Sequence, residues 1–126
     1  IFHVANVHAR NISLTLKNDA SCASCVAIGR EDSDEPKIFW SFELIDDEAF
    51  VIRGKNKEGE SIYLKLGFKQ KDCNRIVFGE KLDENSKERF QWQLIPREGG
   101  KSFLIMNTAK KAYLRLGKGR IAEASK

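Results

Sequence analysis

The chain has 126 residues, 41% hydrophobic and 32% charged, with a formal net charge of +4; this excludes a disordered segment and fits one globular domain, residues 1–126. No apolar run approaches the roughly 20 residues that a membrane helix needs, which excludes a transmembrane helix. The charge is uneven: through Pro96, 14 Lys or Arg stand against 16 acids (net −2), and from Arg97 onward 8 stand against 2 (net +6), so any attraction for polyanions is expected in the last segment.

Taken in chain order, the first unit spans about residues 1–47. It opens with Phe2-x-Val4-x-Asn6, continues through Leu14-x-Leu16 and Val26-x-Ile28-Gly29, and closes on the FWSFELI run that contains Trp40, Phe42, Leu44 and Ile45. The second unit, about 48–97, repeats the first at an ungapped shift of 50. Leu64 and Leu66 match Leu14 and Leu16, Ile76, Phe78 and Gly79 match Val26, Ile28 and Gly29, and Phe90, Trp92, Leu94 and Ile95 match the FWSFELI strand. Its strands are expected near Phe50 to Arg53, Tyr63 to Leu66, Arg75 to Gly79 and Phe90 to Ile95. The third unit, about 98–126, opens with Phe103-x-Ile105-x-Asn107 and continues through Tyr113-Leu114-Arg115-Leu116-Gly117. It ends after Arg120-Ile121-Ala122 without a counterpart of the fourth strand.

Apolar and polar residues alternate within each unit, the period of half-buried strands. An all-β domain follows. Three four-stranded repeats predict a β-trefoil, a six-stranded barrel with a hairpin cap, with its last strand missing from this chain. The open edge points either to a truncated chain or to a strand supplied by a partner or another segment. The expected core is Leu14, Leu16, Ile28, Phe42, Leu64, Leu66, Phe78, Trp92, Leu94, Ile105, Leu114 and Leu116, with Trp40 and Phe90 also facing the interior.

Tyr63-Leu64-Lys65-Leu66-Gly67, Asn74-Arg75-Ile76-Val77-Phe78-Gly79, Glu88-Arg89-Phe90-Gln91-Trp92 and Phe103-Leu104-Ile105-Met106-Asn107 together resemble the insect thirty-kilodalton haemolymph lipoproteins, the microvitellogenin-like family. The resemblance covers residues 50 to 120 well and the first unit more loosely. It implies a β-trefoil in a secreted storage or transport protein, with glycan, lipid or another protein as partner. The start at Ile1 fits the same expectation of a processed, extracellular chain. That family carries a helical domain ahead of the trefoil, and nothing helical is expected here ahead of Phe2.

Phe90-Gln91-Trp92 also resembles the Gln-x-Trp signature of ricin-type lectin units, with the Gln one place out of step. This implies Asp47, Gln91 and Trp92 as carbohydrate candidates; the reading against it is that Trp92 packs in the core. A trefoil cytokine-like or protease-inhibitor-like interaction protein is a further alternative.

An enzyme is the least favoured class. His3 and His8 are the only histidines, no carboxylate precedes Asp19, and no nucleophile context surrounds the serines or cysteines. No cofactor and no metal site are expected. Cys22 and Cys25 straddle the repeat position of Cys73, leaving open either a disulfide from Cys73 to one of them or three free thiols. The basic group Lys101, Lys110, Lys111, Arg115, Lys118 and Arg120, with Lys126, is the most suggestive polar feature. It reads either as a solvated face or as a polyanion site, resembling the basic last lobe with which trefoil growth factors hold heparin-like chains. Specific nucleic-acid binding is not expected, because no aromatics beyond Tyr113 are interleaved with these cations.

Overall fold

The computed structural model describes residues 4–6, 9–16, 24–31, 40–45, 49–55, 59–69, 75–116 and 122–125. Within them lie eleven strands: β1 (Ala5–Asn6), β2 (Ala9–Leu16), β3 (Ser24–Glu31), β4 (Ser41–Leu44), β5 (Phe50–Lys55), β6 (Ser61–Lys69), β7 (Arg75–Glu80), β8 (Trp92–Arg97), β9 (Ser102–Asn107), β10 (Ala112–Leu116) and β11 (Ala122–Ser125). The all-β class follows from the two-residue alternation seen in the sequence. On β6, for example, Ile62, Leu64 and Leu66 are buried while Tyr63 and Lys65 keep partial exposure.

The expected β-trefoil is not what the strand pairings form. Seven strands close an antiparallel barrel, in the order β5, β6, β7, β11, β10, β9, β8 and back to β5. The ring has seven strands, where a six-stranded barrel with a hairpin cap was expected. Nor is the barrel left open for want of a fourth strand in the last unit. β11 pairs with β10 through Leu114↔Ala124 and with β7 through Glu123↔Ile76. The physical reason lies in Ala122 and Ala124: both are buried, and side chains this small let β11 sit against its neighbours without displacing core groups. Outside the ring, β4 pairs with β5, and β3 pairs with β7 while carrying β2 and then β1.

The expected fourth strand of the second unit starts later than Phe90. Residues Glu84–Phe90 form a 3-10 helix, with Asp83 as N-cap accepting from the Asn85 amide at 2.9 Å. The helix ends on Phe90, which is fully buried, and Trp92 opens β8.

Of the expected core, Leu14, Leu64, Leu66 and Trp92 are buried, and Phe42, Ile105 and Leu114 pack against them partly exposed. Trp40 and Phe90 are fully buried. Phe78 and Leu94 are only half-buried. The side chains of Leu16, Ile28 and Leu116 lie outside what is described, as do His3 and His8. The alternation argument passed over the small and medium residues Ala27, Val51, Ile52, Ile62, Val77 and Ala112, all buried.

The internal repeat reappears with a changed register. Trp40 Nε1 donates to the Leu14 carbonyl at 3.1 Å and Trp92 Nε1 to the Leu64 carbonyl at 3.0 Å. Leu14 and Leu64 are 50 apart, as the sequence comparison has them. The two tryptophans are 52 apart, so Trp92 is the counterpart of Trp40 and not of Phe42. The longer connection that holds the 3-10 helix absorbs the difference.

Gly67 marks a close approach of β6 to β7 on the ring. A Cβ there would overlap the Ile76 carbonyl oxygen and lie 2.7 Å from the Phe78 ring, while the Gly67 carbonyl accepts from Arg75 Nη1 at 3.1 Å. Gly67→Ala must therefore push β6 from β7, and urea unfolding should show a loss of about 1–3 kcal/mol. An unchanged midpoint would show that the two strands are not packed this closely.

Candidate functional site

The basic residues of the last segment were expected to gather on one surface, and the strands decide which of them can. β8 and β9 form a hairpin whose tight connection, Glu98–Gly100, is a 3-10 turn with Glu98 at φ 52°. Lys101 leaves that turn exposed to solvent. β9 then runs 6 residues to Asn107, and the next turn, residues 108–111, presents Lys110 and Lys111, both exposed. At about 3.3 Å per residue the strand holds Lys101 roughly 20 Å from the Lys110–Lys111 pair. Lys101 therefore does not share a site with them. Lys118, Arg120 and Lys126 lie outside the described residues.

Arg115 is on β10, 56% exposed, and its Nε stands 3.5 Å from Glu123 Oε1 across the β10–β11 ladder. That contact spends part of its charge on an intramolecular pair. Among the described residues no ion pair holds Lys101, Lys110 or Lys111.

What fixes the dibasic turn is Asn107, a fully buried polar residue. Its Nδ2 amide donates to the carbonyls of Glu88 at 3.3 Å, Arg89 at 3.5 Å and Gln91 at 3.2 Å, and its Oδ1 accepts from the Lys110 amide at 3.1 Å. The Thr108 amide adds a bond to the Gln91 carbonyl at 3.1 Å. One side chain thus ties the exit of the 3-10 helix to the entry of the turn. Closing the turn puts Lys111 at φ 51°, a left-handed conformation that a non-glycine residue adopts only under the constraint of its surroundings. The result is two ammonium groups on a backbone whose shape is set before any ligand arrives. Sequence reasoning singled out the lysines and passed over Asn107, although its place at the end of Phe103-x-Ile105-x-Asn107, two residues past an apolar position, marks it as inward-facing.

Of the carbohydrate candidates, Gln91 and Trp92 lie among the described residues. Trp92 has no exposed surface and its indole N–H is committed to Leu64, so it offers no face for a sugar to stack on; its assignment to a sugar site is corrected to a core role. Gln91 is half-buried and contributes its carbonyl to the Asn107 network. Asp47 lies outside the described residues. So do Cys22 and Cys73; Cys25 stands on β3 opposite Gly79. Among the described residues no group of three His, Cys, Asp or Glu converges as a metal site, and no helix is long and apolar enough to cross a membrane.

Comparison with protein-family models and with curated proteins finds no match to this chain.

Asn107→Ala removes the donor shared by the Glu88, Arg89 and Gln91 carbonyls and the acceptor of the Lys110 amide. Stability should fall by about 1–3 kcal/mol, and the Lys110 amide should exchange with solvent faster than in the parent. If hydrogen exchange at Lys110 were unchanged, the turn would not depend on this side chain.

Proposed function

We propose that the protein is a non-catalytic binding protein that holds an anionic glycan chain through the Lys110–Lys111 turn. The observation that carries this reading is the turn itself: two exposed ammonium groups, unpaired among the described residues, on a backbone locked by buried Asn107. A turn backbone fixed in advance has little freedom left to lose on meeting an anion, and a sulphated chain can neutralise both ammonium groups at once. The rest of the last segment carries the same sign, since from Arg97 onward only Glu98 and Glu123 oppose the eight cations. An extracellular storage, transport or recognition role is supported by the resemblance of the Leu-x-Leu-Gly and Phe-x-Ile-x-Asn blocks. The ricin-type lectin reading is weaker, because the aromatic it needs is inside the core.

Lys110→Glu combined with Lys111→Glu reverses two charges at exposed positions, where substitutions shift stability by no more than about 0.5 kcal/mol. The parent should be retained on immobilised heparin, with an affinity falling steeply as salt rises. Loss of two cationic contacts should lower the log–log salt slope by about 2. Equal retention of the double variant and the parent at moderate salt would return these lysines to a solvated face.

A further inference from the structure

Along β10, Ala112 is buried and Leu114 packs against the core, so the two-residue alternation of a strand puts Tyr113 and Arg115 on the outer face of the ring. Tyr113 stands across from Met106 on β9 and Ser125 on β11, and Met106 stands across from Gln93 on β8. All four are half-buried. With neighbouring strands about 4.8 Å apart, the row crosses roughly 14 Å of outer surface, an aromatic ring and a thioether in its middle and a polar group at each end. The same ring is flanked by cations along its own strand. Lys111, exposed at the close of the fixed turn, comes two positions before it. Arg115, 56% exposed and with its Nε 3.5 Å from Glu123, comes two positions after it. Each cationic residue is thus within roughly 7 Å of Tyr113 along the backbone.

The cations by themselves would accept any polyanion. The aromatic ring between them adds a contact that only some polyanions can use. One face of a pyranose is made of C–H groups, whose slight positive charge suits the negative face of an aromatic ring. Inorganic polyphosphate has no such face. A single-stranded nucleic acid stacks its bases in succession and uses a run of aromatics, where β10 offers one among its cations. We propose that Tyr113 is the sugar platform of the anion site, an inference that rests on the binding reading given above. One ring of a sulphated polysaccharide lies against Tyr113, while its sulphate groups meet Lys110 and Lys111 on one side and Arg115 on the other. Ser125, one strand away, is placed to hydrogen-bond a sugar hydroxyl. The charges set the strength of binding, and the ring sets which polyanion is preferred.

Calorimetric titration of the full chain with a sulphated oligosaccharide and with inorganic polyphosphate, at matched salt, reads the two parts separately. Tyr113→Ile keeps an apolar side chain that suits a strand. It should weaken oligosaccharide binding roughly three- to tenfold, leave polyphosphate binding unchanged and keep the parent's log–log salt slope, since no charge is removed. Tyr113→Phe should bind the oligosaccharide nearly as the parent does. Lys110→Glu with Lys111→Glu should weaken both ligands. Should Tyr113→Ile fail to fold, the parent still decides: sugar C–H protons of the bound oligosaccharide should show nuclear Overhauser contacts to the Tyr113 ring, and a bound complex without them overturns the proposal. Unchanged oligosaccharide affinity in folded Tyr113→Ile, or an equal loss for both ligands, also overturns it and leaves the dibasic turn standing. A parent that binds neither ligand overturns the turn reading as well. Single-stranded DNA bound in preference to the oligosaccharide, and lost with Tyr113, would assign the ring to bases and overturn its role as a sugar platform.

Discussion

Two indole N–H groups, each donating to a main-chain carbonyl more than twenty residues away, set the geometry on which the rest of this structure depends. Trp40 reaches Leu14 and Trp92 reaches Leu64, and both tryptophans are shut off from solvent. A buried indole without a partner would lose the hydrogen bond it makes in water, so each ring can occupy the core only in an orientation that meets its acceptor. The large apolar surface drives the burial, and the single polar atom chooses among the packings that burial alone would allow. On the ring this ties the start of β8 to β6, and the same residue, Trp92, pairs with Phe50 on β5 and with Asn107 on β9.

From that anchor the candidate site follows in two steps. Trp92 fixes the register of β8 against β9, which sets Asn107 opposite it, and Asn107 then gathers three carbonyls from the 3-10 helix exit while holding the Lys110 amide. The exposed lysines are thus connected to the core through one buried side chain. Lys101 leaves a separate turn at the far end of β9, where its amide bonds to the Glu98 carbonyl at 3.4 Å and, among the described residues, no buried side chain ties that turn to the core. The difference between the two turns is why the dibasic pair, and not the whole basic segment, carries the functional reading.

Much of the strand pattern was legible in the sequence, because alternation of apolar and polar residues reports directly on which face is buried. Leu64 and Leu66 are buried, and β5, β6 and β7 stand where the second unit placed them. The closure was not legible. It depends on β11, where Ala122 and Ala124 are too small to stand out in a search for large apolar residues, and on cross-strand pairs between elements far apart in the chain. A repeat shift alone also could not show the two-residue slip at Trp92, since Phe90 and Trp92 are both aromatic and both buried. The lysines of the site stood out by charge. Asn107 did not, because its role arises from four partners scattered over residues 88 to 110, and no spacing rule announces such a set.

The chain has only two tryptophans, so its two indole N–H signals can be followed one by one in native-state hydrogen exchange. With each proton buried and bound to a carbonyl, both should exchange only through global unfolding, with opening free energies equal to that of the core strand amides and falling together as denaturant is added. An indole proton exchanging at the rate of a solvent-exposed tryptophan, or through a local opening far below the global free energy, would contradict the account that these two bonds fix the fold.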